Sequence, residues 1–190
     1  ARKRVTPETK AVLAVDIYGH PSDTKVLRRL ADECGLWYVA DAAQSLGAYR
    51  EGRPASSLAD ALVVSFTVGK SLYAGEGGAI LTNNDTLYEK LLWYGQHPMR
   101  QKRELGLYRY NEFGLNARIH PLAAAWANAG LQASLVRVRK FRRRCFRIIT
   151  ALNETGLTEP IPFEALEIEP SFFRLTAAWK DENHADVLME

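Results

Sequence analysis

Apolar residues in the first two thirds of the chain fall into short runs divided by polar, glycine and proline positions. Ala11-Val-Leu-Ala-Val-Asp-Ile17 has strand length and ends at Gly19 and Pro21. Ser22 or Asp23 can cap a helix that runs to about Cys34, where Gly35 stops it. Leu36–Ala40, Ala61–Phe66 and Gly78–Thr82 read as further strands. Asn83-Asn84-Asp85 forms a turn and cap, and Leu87–Tyr94 reads as a helix. Near-continuous apolar strands separated by helices predict an α/β fold whose sheet is covered on both faces.

The pattern changes after Gly95. Residues 96–115 are polar and aromatic without a clear period, so they read as a long loop. Pro121–Leu131 is an alanine-rich helix. A second helix follows, with Leu135, Val138, Phe141, Cys145, Ile148 or Ile149, and Leu152 on one side. Pro160-Ile-Pro162 breaks it. Ser171–Ala178 reads as a strand and Asp181–Met189 as the start of a helix. Three strands in βα order and a fourth beyond them make a thin core, as in a part of something larger.

Composition adds few constraints. At 47% hydrophobic and 25% charged, the chain is of ordinary globular type. No run nears the roughly 20 apolar residues of a membrane span, and the basic start leads to Val5-Thr6-Pro7 rather than an export signal. Cys34 and Cys145 lie far apart in no ligand-spaced motif, which suits free thiols in the cytoplasm. His20, His97, His120 and His184 are scattered, so a metal site has little support. The net charge of +3 conceals segregation, with bases crowding Arg100–Arg147 and acids Glu154–Glu190. The basic helix lacks interleaved exposed aromatics or a nucleic-acid motif, so its arginines read as a solvated face or subunit contact.

Three features sit at strand ends, where open α/β sheets place ligands. They are Asp41-Ala-Ala-Gln44, Ser65-Phe-Thr-Val-Gly-Lys70 and Gly75-Glu-Gly-Gly78. Singly, such an Asp is usually a helix cap, the lysine a surface charge, the serine a local backbone partner and the glycines a turn. Jointly they bring a carboxylate, a hydroxyl and an amine into one cleft. Pyridoxal-phosphate chemistry uses that set: a lysine for a Schiff base, a carboxylate for the pyridinium nitrogen, and a hydroxyl with backbone N–H groups for the phosphate.

With these motifs, and with Val15-Asp-Ile-Tyr-Gly19 and Gly114-Leu-Asn-Ala-Arg118, the sequence resembles the DegT/StrS family of pyridoxal-phosphate-dependent sugar aminotransferases, of fold type I. The resemblance runs from about Thr6 to Leu131 and more weakly to the end. It implies that Lys70 holds the cofactor and moves the proton, Asp41 pairs with the ring nitrogen, Gln44 bonds the ring hydroxyl oxygen and Ser65 contacts the phosphate. Asn116 would reach the phosphate of the neighbouring subunit in a homodimer. The implied reaction moves an amino group from glutamate or glutamine to a keto sugar, nucleotide-linked in the family's manner, or to a keto cyclitol. Lys70 argues against the family's dehydratase branch, where a histidine stands there.

The resemblance divides the chain into the C-terminal half of a large cofactor-binding domain, 1–120, and connecting helices with the first part of a smaller α+β domain, 121–190. Nothing corresponds to the family's N-terminal third or to the end of its small domain. The expectation is a site completed by a further segment, or a non-catalytic or half-site subunit needing a partner chain. Asp16 stands where many members have His, and reads either as a substrate contact or as the polar end of a strand. The basic loop 96–104 could face an anionic substrate. His97 and His120 read as structural hydrogen-bonding residues, Trp37, Trp93, Trp126 and Trp179 as core or interface, and Cys145 as inert packing.

Overall fold

The computed structural model describes residues 1–95, 106 and 114–180. The principal sheet contains β1 (Ala11–Val15), β2 (Trp37–Asp41), β5 (Ala61–Ser65) and β6 (Gly78–Leu81), in the order β1-β2-β5-β6. β1, β2 and β5 are parallel, and β6 returns antiparallel beside β5. The small strands β3 (Tyr49–Arg50) and β4 (Arg53–Pro54) form a hairpin between β2 and β5. β3 also pairs with β8 (Ile168–Glu169), while β7 (Thr158–Glu159) pairs with β9 (Ala178–Trp179). These two-residue strands carry no alternating pattern of useful length, and the sequence reading did not include them.

Helix α1 (Thr24–Cys34) begins where the Asp23 carboxylate accepts the Val26 amide at 3.0 Å. It ends at Gly35, whose φ of 63° is the left-handed cap that glycine adopts without a Cβ penalty. Its Ala31 packs with Leu36, Tyr38 and Ala40, and with half-buried Val12, Ala14, Leu27 and Leu62. The opposite face of the sheet is different. Leu13, Val15, Trp37, Val63 and Ile80 are all exposed, Leu13 at 65%. The sheet is therefore covered on one face only among the described residues, which corrects the expectation of two covered faces. Period-2 alternation of solvent exposure appears in strands whose residues are apolar on both sides, so the sequence could not reveal it.

Helix α2 (Asp85–Gly95) follows β6, with Asn84 accepting the Leu87 amide at 2.8 Å. Helix α3 (Pro121–Glu154) is one continuous helix of 34 residues rather than the two expected. Gln132-Ala133-Ser134 contains no breaker, and buried Ser134 continues the inward stripe Ala127, Ser134, Val138, Arg142, Cys145, Ile149 at helical spacing. Small polar Ser134 hid that continuity. Cys145 and Ile149 of α3 form a second core with Phe163 and Phe172 of the segment that follows it. The expected strand Ser171–Ala178 is corrected to the short β9 preceded by an irregular strap over residues 170–176. Phe172 there has φ 51°, which no strand accommodates. The expected helix at 181–189 lies outside the described residues, as does the expected loop 96–115 apart from residues 106, 114 and 115.

Candidate functional site

β2 and β5 end side by side. Asp41 is in register with Val63, so it shares a sheet face with Val63 and, two residues on, with Ser65. That is the open face, opposite Tyr38 and Ala40. A carboxylate and a hydroxyl thus stand at the C-terminal edge of adjoining parallel strands on the same side. Asp41 Oδ1 accepts the Ala43 amide at 3.0 Å, which fixes the turn leading to Gln44. Ser65 Oγ lies 3.0 Å from Thr67 Oγ1 and 3.3 Å from the Thr67 amide. Opposite Ser65, Gly78 has no room for a side chain, since a Cβ would lie 2.5 Å from the Val64 carbonyl oxygen. The glycine run is thus a requirement of strand pairing as well as of the turn.

Lys70 follows β5 in a turn closed by its own amide donating to the Thr67 carbonyl at 3.2 Å. It borders a cleft of about 820 Å³ between the Lys70 turn, α3 and the strap, with Tyr73, Trp126, Arg137 and Phe173 on its walls. The Lys70 Nζ lies 4.6 Å from the centre of the Phe173 ring. Gln44 Oε1 accepts the Tyr18 amide at 2.8 Å, so its NH2 group is the end left to donate.

The strap reaches this region from the far end of the chain. The Ser171 hydroxyl donates to the Gln44 carbonyl at 2.7 Å, and the Ser171 amide to the Gly19 carbonyl at 2.9 Å. Arg142 of α3 anchors its start. Its Nε donates to the Pro170 carbonyl at 2.7 Å, and its other nitrogens bond Glu169 and the Gly47 carbonyl. Arg142 departs from the reading of these arginines as a solvated face or subunit contact: among them, this one is buried. Burial pushes its guanidinium below the ordinary arginine value, against the opposing pull of Glu169. Phe172 packs edge-on to His20, Phe146 and Phe163. His20 lies in this apolar setting, with Nε2 3.0 Å from the Thr176 hydroxyl oxygen, and desolvation lowers its pKa from 6.5.

Asp16 is 1% exposed. Its Oδ1 accepts the Ser22 amide, and its Oδ2 accepts the hydroxyls of Ser45 and Ser56, all at 2.8 Å. A carboxylate so enclosed is a buried tie between β1, the Gln44 turn and the loop before β5. Of the two readings left open by the sequence, the structural one therefore holds.

Asn116 does not join the Lys70 cleft. It is exposed, with φ 51°, and its Oδ1 accepts the Arg118 Nε at 3.0 Å. It lines a separate cleft with Ile119 and His120. His120 is the N-cap of α3, its Nδ1 accepting the Leu122 amide at 3.2 Å, so its role is structural, whereas His97 lies outside the described residues. Cys145 is buried, and burial raises its thiol pKa, in keeping with inert packing. The structure therefore brings Asp41 and Ser65 to one edge and Lys70 and Gln44 to the strap. Ser171, Phe173 and Arg142 were missed, because their partners are distant in sequence, from 27 residues for Arg142 and Glu169 to 127 for Ser171 and Gln44, and no local motif marks them. Among the described residues, no group of His, Cys, Asp and Glu could hold a metal ion, and no helix is long and apolar enough to cross a membrane.

The dTDP-3-amino-3,4,6-trideoxy-alpha-D-glucose transaminase of Streptomyces venezuelae is 40% identical over 124 residues, covering 65% of this chain and 31% of that protein. The crystal structure of DesV from S. venezuelae, in complex with a ketimine intermediate, superposes with a TM-score of 0.78 at 30% identity. It is matched by 98% of this chain, over 50% of its own length. NtdA of Bacillus subtilis, with bound PMP, gives a TM-score of 0.81 at 25% identity over 98% of this chain and 42% of its own. The chain spans about a third of the length of the curated relatives it matches. The expected α/β fold of type I transferases agrees with these neighbours. The model of the DegT/DnrJ/EryC1/StrS aminotransferase family matches residues 1–190, and the chain belongs to that family.

Proposed function

We propose that this chain carries the lysine-bearing part of a pyridoxal-phosphate aminotransferase that moves an amino group from glutamate or glutamine to a keto sugar, nucleotide-linked, or to a keto cyclitol. The observation that supports it most is the shared edge of β2 and β5, where Asp41 and Ser65 face the same side and Lys70 follows directly. The donor set fits the cofactor: an anionic acceptor for a protonated ring nitrogen, an amide NH2 on Gln44 for a ring oxygen, hydroxyls on Ser65 and Thr67 for a phosphate, and an amine on Lys70. When bound, the cofactor supplies the electron sink that lets a C–H bond beside nitrogen break. Asp41 would hold charge against the ring, Ser65 would orient the phosphate, and Lys70 Nζ would carry the proton between carbon atoms. The nucleotide-sugar transaminase among the relatives supports the substrate class.

In this reading, residues 1–120 belong to the cofactor-binding domain and 121–190 to the start of the smaller one. The enzyme works in the cytoplasm as a homodimer or with a partner chain, and Asn116 serves the neighbouring subunit's site. The bare apolar face bearing Asp41 and Ser65 favours a site finished by more protein than these residues supply. The test is glutamate-dependent amination of nucleotide-linked keto sugars, read by mass spectrometry on the assembled protein. Lys70→Ala should abolish product, and an unchanged rate would refute the assignment.

A further inference from the structure

We propose that Phe173 is a positioning residue that seats the Lys70 amine whenever that amine is free. This rests on the reading of Lys70 as the cofactor lysine and adds a residue from the other end of the chain to its site. The Nζ lies 4.6 Å from the ring centre, inside the range at which an ammonium is attracted by an aromatic face. The Arg174 guanidinium carbon is 5.8 Å from the same centre, so the ring gathers two cations.

The ring is held in place by construction. On one side of it, Ser171 is tied to the Gln44 and Gly19 carbonyls, and buried Phe172 is locked among aromatic rings with a left-handed backbone. On the other, the Arg174 amide donates to the Tyr18 carbonyl at 3.4 Å. Arg142 fixes the strap's origin through the Pro170 carbonyl. The sequence between Lys70 and Phe173 passes through all of α3, yet three hydrogen bonds, from Ser171 to Gln44 and Gly19 and from Arg174 to Tyr18, return the strap to the turns that carry Tyr18 and Gln44. A lysine that alternates between a bonded and a free state needs a defined resting place near its target, since its four-carbon stem otherwise samples many rotamers. Phe173 provides that place with an apolar face that forms no competing bond.

The test is brief acetylation of the full chain without added cofactor, with labelling of each lysine peptide quantified by mass spectrometry and normalised to Lys25 and Lys90. An amine seated against the ring is less available to the reagent than one free in the cleft. Phe173→Leu should speed Lys70 acetylation about two- to fivefold, the loss of one exposed cation–ring contact. Phe173→Tyr, which keeps the ring face, should match the parent. Equal Lys70 rates in the parent and Phe173→Leu would overturn the proposal, as would Phe173→Tyr behaving like Phe173→Leu. Borohydride trapping of pyridoxal phosphate on the parent chain reports separately on Lys70 as the cofactor lysine, so the two ideas fail by different results.

Discussion

Gly19→Ala isolates the joint between β1, the Gln44 turn and the strap. Gly19 has φ 84°, which costs an alanine about 1–2 kcal/mol. The added Cβ would lie 2.2 Å from Ser171 Oγ, 2.9 Å from the Gln44 carbonyl oxygen and 2.9 Å from the Phe173 nitrogen. The serine hydroxyl can rotate away, but the Gln44 carbonyl then loses its donor, worth about 1 kcal/mol. The other two atoms are backbone, so the strap must move, weakening the bond from the Ser171 amide to the Gly19 carbonyl by about another 1 kcal/mol. The sum is ~3–4 kcal/mol. Urea denaturation should give a midpoint lowered in proportion, and thermal denaturation a Tm lower by about 6–15 °C for a domain of this size. Adding Ser171→Ala removes the closest contact and leaves the two backbone ones, so it should restore less than half of the loss. A Gly19→Ala chain within about 0.5 kcal/mol of the parent would refute this account of how the strap is held.

Other consequences follow from the buried carboxylate and the buried imidazole. Asp16→Asn keeps the volume of Asp16 but exchanges three charge-assisted hydrogen bonds for weaker ones. It should lower stability by about 2 kcal/mol in urea titration, and no change would contradict the network. Ser56 sits at φ 57° and donates to Asp16, so Ser56→Ala loses the bond and keeps the backbone strain. Ser56→Gly relieves that strain and should be the more stable variant of the two by about 1 kcal/mol, with the reverse order counting against it. Burial lowers the His20 pKa, so between its folded value and about 6.5 the unfolded chain binds a proton that the folded chain refuses. His20 costs no stability above that upper limit and progressively more as pH falls through it. The stability difference between the parent and His20→Gln, followed by urea from pH 8 to 5, should shift against the parent on acidification, and a flat difference would contradict the burial.

What was legible in the sequence is what local pattern determines. Apolar runs located β1, β2, β5 and β6, Asp23 and Gly35 bounded α1, and Asp41, Ser65 and Lys70 stood out by their position at or just beyond strand ends. The remainder depends on contacts between distant residues. Arg142 looks like its basic neighbours on α3, and the carbonyls of Gly47 and Pro170, with the Glu169 carboxylate, distinguish it. Ser171-Phe172-Phe173 has the composition of a strand, yet its hydrogen bonds run to Gly19 and Gln44 and its backbone turns left-handed at Phe172. Asp16 was ambiguous because its partners Ser45 and Ser56 lie 29 and 40 residues on. Tertiary hydrogen bonding overrode strand propensity in the strap, as it commonly does where a segment is recruited to a site.

The most direct test of the central claim is borohydride trapping. The assembled protein is incubated with pyridoxal phosphate, reduced, digested and mapped by mass spectrometry. The account predicts a reduced cofactor adduct confined to the peptide containing Lys70, lost in Lys70→Ala. An adduct confined to another lysine, or scattered equally over Lys25, Lys90 and Lys70, would contradict it.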